Sequence, residues 1–150
     1  MKKKILIALA GLLLAIQFIR PDRSVPAVDP AQDIRQVLRP PAEIATVLKN
    51  ACYDCHSYEA RYPWYAQIAP VSWWLAGHVN EGREHLNFNT FAALSASDRT
   101  EALEEIAEVV QEGEMPLKSY TWTHGDARLS AEQRSALVAW AKGVGSGEED

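Results

Sequence analysis

Cys52, Cys55 and His56 are the residues of this chain best placed to do chemistry together, two thiols three apart with an imidazole directly after the second. They sit in NACYDCHSYEARYPWY, Asn50 to Tyr65, and no other cysteine occurs in the 150 residues. Cys-x-x-Cys-His is the attachment pattern for a c-type haem. Two thiols add to the two vinyl groups of one porphyrin, and the adjacent imidazole reaches the iron as its proximal ligand. Three other readings compete. A disulfide suits an exported chain but closes only a tiny loop and leaves His56 without a role. A thioredoxin-like redox pair expects a βαβ context that the sequence lacks. A zinc site wants four ligands, and there is no second cysteine pair to complete it.

The other axial position of such an iron needs its own ligand. Apart from the initiator, Met115 is the one methionine, and it stands in EGEMPLKSY. A thioether is a soft ligand, and Met/His ligation raises the reduction potential of a haem. Pro116 disfavours a helical conformation at Met115, which suits a side chain offered from a loop. The competing reading for Met115 is a gap-filler of the core. His78, His85 and His124 are the alternative distal ligands. The aromatic residues Tyr53, Tyr58, Tyr62, Trp64, Tyr65, Trp73, Trp74, Tyr120 and Trp122 belong by default to a core, and several are expected to line a large apolar plate. Arg61 is a candidate partner for a propionate, against the simpler reading of a solvated arginine.

The elements that must hold these residues read as helices. Ile44, Val47, Leu48 and Ala51 follow the i, i+3, i+4, i+7 pattern after Pro40-Pro41, so a first helix leads straight into Cys52. Val71, Trp74, Leu75, His78, Val79 and Leu86 share a second stripe, with Pro70 and Ser72 as start signals. A third helix is expected from about Ala96 to Glu112, with Gly113 as its stop. The last begins at Ser130, where Gln133 completes a capping box, and ends at Gly143. No strand pattern and no repeat is present. The expected fold is all-α, with a loop from Gly113 to Leu129.

Composition bounds the rest. Apolar residues make up 47% of the chain, enough for the core of one domain. Three of the 15 basic residues are Lys2, Lys3 and Lys4, so 12 stand against 20 acidic ones from Arg20 onward. That surface excludes nucleic acid and suits a basic protein partner. The uncharged run Ile5 to Ile19 behind three lysines has the layout of an export signal or an N-terminal anchor. The poor cleavage site, loosely matched only at Val25-Pro26-Ala27, favours an uncleaved bacterial inner-membrane anchor with the haem domain in the periplasm. A soluble periplasmic chain after cleavage is the alternative. The expected organisation is 1–20 membrane anchor or signal, 21–41 proline-rich tether, 42–143 haem-binding domain and 144–150 acidic flexible tail.

The stretches KNACYDCHS, YPWYAQIAPVSWWLAGHVNEGREHLNF and GEMPLKSYTWTHGDARLS, within roughly Ile34 to Lys142, resemble the bacterial haem-binding domain family of small c-type-cytochrome-like proteins. The resemblance implies a periplasm-facing mono-haem domain. The order of helix, attachment motif, Met-Pro loop and C-terminal helix is also similar to class I cytochrome c, with two extra helices between His56 and Met115. The function expected is electron transfer with a redox partner protein, through one covalent haem c whose iron is held by His56 and Met115. A haem-based sensor or small-ligand binder is the alternative. No acid/base pair accompanies the motif, so a peroxidase-like enzyme ranks behind both.

Overall fold

The structure is a computed structural model that describes residues 1–147. Its helices are α1 (Lys2–Ala15), α2 (Ile34–Leu38), α3 (Ala42–Ala51), α4 (Tyr53–His56), α5 (Val71–His85), α6 (Ala96–Glu112), α7 (Lys118–Thr121) and α8 (Ala131–Gly145). Short 3₁₀ turns punctuate the connections, and among the described residues there is no strand. The expected tail 144–150 is only partly in view. Gly145 still belongs to α8, two residues past the expected stop, and residues 148–150 lie outside the described residues.

Local chemistry accounts for the helix ends. Ser95 Oγ accepts from the Asp98 amide at 3.2 Å and starts α6. Ser130 and Gln133 form the reciprocal capping box that starts α8. Gly113, with φ 78° and ψ 21°, ends α6 in the left-handed conformation that glycine adopts without strain. The core is one cluster in which α6 packs most extensively along α8 and α3 touches both α4 and α8. Leu48, Leu103, Ala107, Leu137 and Ala141 are buried there.

The expected membrane segment at the N-terminus is overturned. No described helix is long and apolar enough to cross a membrane. Although the apolar run continues to Ile19, α1 has 14 residues, a rise of about 21 Å against a hydrocarbon core of about 30 Å. A 3₁₀ turn follows, and the backbone is extended by Ile19. The residues beyond are bonded to the domain. Gln17 exchanges two hydrogen bonds with the backbone of Ala69, at 2.9 and 3.0 Å. Trp73 Nε1 donates to the Ile19 carbonyl at 2.8 Å, and Arg23 donates to the Ala66 carbonyl while lying over the Tyr62 ring.

The proline-rich stretch also ends inside the fold. Ile34 is buried, and the buried Asp33 caps α2 through the Arg35 amide. The same carboxylate accepts from Tyr53 Oη at 2.7 Å, Asn89 Nδ2 at 2.8 Å and Arg35 Nε at 2.9 Å. It thereby ties α2 to α4, the helix that carries Cys55 and His56. Burial pushes the Asp33 carboxyl up, but the bonds from Arg35 and Tyr53 outweigh it and hold the group below its ordinary 3.8. An unfolded chain therefore takes up this proton first as the solution is acidified. Asp33 stabilises the fold above about pH 4, and this contribution is lost as pH falls below it. Urea unfolding between pH 6 and pH 3 should show that loss in the native sequence and a smaller one in Asp33→Asn, which starts lower by about 1–3 kcal/mol.

Candidate functional site

The site is built where α3 runs into α4. Cys52 ends α3, and the amides of Cys55 and His56 both bond to its carbonyl, at 3.1 and 2.9 Å. This single turn sends the two thiols to different walls. Cys52 lines a small apolar cavity of about 90 Å³ against α6, beside Phe88, Ile106 and Val109. Cys55 lines a larger cavity of about 360 Å³ bounded by α5 and the Met115–Tyr120 segment. The two cavities share four lining residues, Ala51, His56, His85 and Met115.

Both thiols are free. Burial pushes Cys52 up to about 12 and, with Asp54 beside it, Cys55 up to about 11. Redox-active pairs work through a depressed thiol pKa, and burial gives these cysteines the opposite character.

His56 has a fixed tautomer. Its Nδ1 lies 3.0 Å from the Leu86 carbonyl, which can only accept, so Nδ1 carries the proton and Nε2 keeps the free lone pair. Burial lowers the imidazole pKa from 6.5, with the Leu86 bond opposing it, and the ring stacks on Phe88 with centroids 5.7 Å apart. A neutral imidazole held by a backbone carbonyl through one nitrogen is the arrangement of a metal ligand that binds through the other.

Met115 is brought to the same cavities by the end of α6. Past Gly113, the amides of Glu114 and Met115 both return to the Val109 carbonyl, at 2.9 and 3.1 Å. The turn folds the methionine back over the pocket wall, partly buried against the core. The three other histidines are placed differently. His85 lines both cavities, but its Nε2 is 2.5 Å from Glu105 Oε1 at the mouth. His78 lines the larger cavity, with Nδ1 on the Trp74 carbonyl at 2.9 Å. His124 lines neither and stacks on Tyr120, 4.0 Å between centroids.

Several expectations about the surroundings need correction. Arg61 is taken up by Asp54, to which its Nε donates at 3.1 Å, and does not line either cavity. Trp64 and Trp122 are 76% and 78% exposed. The aromatic rings on the cavity walls are Phe88 and Tyr120, while Tyr53 is fully buried against Asp33.

Gly82 is a residue that the sequence alone did not single out. A Cβ on it would stand 2.9 Å from the Cys55 carbonyl oxygen, so only glycine lets α5 lie this close to the attachment turn. Gly77, in the same helix, meets nothing within 4 Å. Thermal unfolding should separate the two: Gly82→Ala destabilises by about 1–3 kcal/mol through forced displacement, and Gly77→Ala is neutral or stabilising by up to about 1 kcal/mol.

Two cavities with a neutral imidazole and a thioether in their shared lining, and two thiols beside them, make a helical site that suits a flat apolar cofactor carrying a metal. The model of the haem-binding domain family matches residues 11–143, and the chain belongs to that family. It is a haem-binding protein. No curated protein and no solved structure matches it.

Proposed function

We propose that this chain is a mono-haem c-type cytochrome that transfers electrons in the bacterial periplasm. The observation that carries the reading is the sharing of both cavity walls by His56 and Met115, with the Nε2 of His56 left free. A bound haem supplies one-electron exchange between ferrous and ferric iron. The chain's residues set the conditions for it. Cys52 and Cys55 hold the porphyrin covalently, one thiol on each cavity. His56 is the proximal ligand, oriented by the Leu86 carbonyl, and Met115 is the distal ligand. Apolar residues of α6 keep water from one face, which favours the less charged ferrous state.

With His56 and Met115 both given to the iron, the reading is that of an electron carrier rather than an enzyme. The excess of acidic residues after Arg20 suits a basic redox partner that docks by complementary charge. Periplasmic placement is supported by the need to attach c-type haem outside the cytoplasm.

The absorption spectrum of the purified haem protein in both oxidation states tests this against a sensor or small-ligand binder. A low-spin, six-coordinate haem that ignores carbon monoxide is expected. A five-coordinate ferrous haem that binds it at once would replace electron transfer with ligand binding.

A further inference from the structure

Between the cysteines stands Asp54, an acidic residue only 7% exposed and without a role in holding haem. Its Oδ1 accepts from the Arg61 amide at 2.9 Å and Arg61 Nε at 3.1 Å, and its Oδ2 accepts from Arg61 Nη2 at 3.3 Å. The remaining bond is the shortest of the set and comes from far along the chain: Tyr120 Oη donates to Oδ2 at 2.6 Å. The same hydroxyl lies 3.4 Å from the Asn50 carbonyl in α3. Tyr120 belongs to α7, whose first turn hangs from the Leu117 carbonyl, two residues after Met115. Its ring lines the larger cavity beside Met115, Pro116 and Leu117.

The loop that carries Met115 is thus held at both ends. Past Gly113 the amides of Glu114 and Met115 hold its start to the Val109 carbonyl, and Tyr120 holds its far end to the attachment turn. Among the described residues, apart from the bonds of Tyr120, the side-chain hydrogen bond from 114–127 to a distant part of the chain is the exposed one between Tyr65 Oη and Thr123 Oγ1, at 2.9 Å. Burial pushes the Tyr120 hydroxyl pKa up, and Asp54 adds to the effect, so the group stays protonated and donates.

Building on the haem reading above, we propose that Asp54 and Tyr120 form a latch that positions Met115 over the iron. Neither residue touches the metal. The latch links the turn that bears the proximal ligand to the loop that bears the distal one, so that the two faces of the site close together. Without it, the far end of the loop loosens and the thioether leaves the iron more often.

The test uses the full chain with its haem attached. Tyr120→Phe removes the hydroxyl and keeps the ring. Carbon monoxide can bind ferrous iron only when Met115 is away, so its binding rate reports the open fraction. A hydrogen bond to a charged group contributes enough to shift an equilibrium about ten- to a hundredfold. Tyr120→Phe should therefore speed carbon monoxide binding by about that factor, while covalent haem content stays unchanged. Thr123→Val, which removes the exposed bond, should leave the rate as it is. A Tyr120→Phe protein that melts earlier yet binds carbon monoxide at the native rate would show a purely structural bond and overturn the latch. If the native protein already binds carbon monoxide freely and lacks the sulfur-to-iron charge-transfer band, the Met115 reading fails first and the latch falls with it.

Discussion

Replacing Cys52 and Cys55 together by alanine should abolish covalent haem altogether. The two thiols are the only cysteines, so no other pair can take the vinyl groups. After denaturing electrophoresis, haem-dependent peroxidase staining should follow the native chain and be lost from the double variant. The apolar slot and His56 remain in that variant, so haem added to the folded protein should still bind but come away on denaturation. Either single alanine should keep one thioether and hence the stain. A double variant that still carries haem through denaturation would show that attachment does not use these residues.

Met115→Ala carries the second large effect. The weak charge-transfer band that marks sulfur on ferric iron should vanish, and ferrous iron should become open to carbon monoxide. The reduction potential should fall by on the order of 0.1 V, since axial ligands command a span of about 0.8 V and thioether favours reduced iron. Haem content should not change, because the thioethers at Cys52 and Cys55 are independent of Met115. His78→Ala, His85→Ala and His124→Ala should each keep the band. His85 gives the sharpest comparison, since it lines both cavities as Met115 does but is engaged by Glu105. If Met115→Ala left the spectrum unchanged and one histidine variant turned it high-spin, that histidine would be the distal ligand.

What could be read from the sequence follows from how local each signal is. The Ser130-Gln133 box and the Gly113 stop act within one helical turn, and their helices follow these signals apart from two extra residues after Gly143. The spacing of Cys52, Cys55 and His56 is legible for the same reason, as a pattern confined to five residues. The carbonyl that sets the His56 tautomer comes from Leu86, 30 residues away, and carries no residue-type signature at all. Gly82 read as an ordinary helical residue, because its need for space arises only where α5 crosses Cys55. Tyr120 read only as one of the core or lining aromatics and Asp54 carried no reading, until packing brought these two residues, 66 apart in sequence, within 2.6 Å. The N-terminal run misled through composition. Its apolar residues continue to Ile19, but α1 ends at Ala15 and the chain turns to meet Ala69 and Trp73.

The central claim is a haem fixed to this chain through Cys52 and Cys55, and intact mass measurement tests it most directly. The protein is made where c-type haem attachment operates, then denatured and weighed. The account predicts the chain plus one haem, with neither thiol open to alkylation. An unmodified chain in which both thiols react would contradict it.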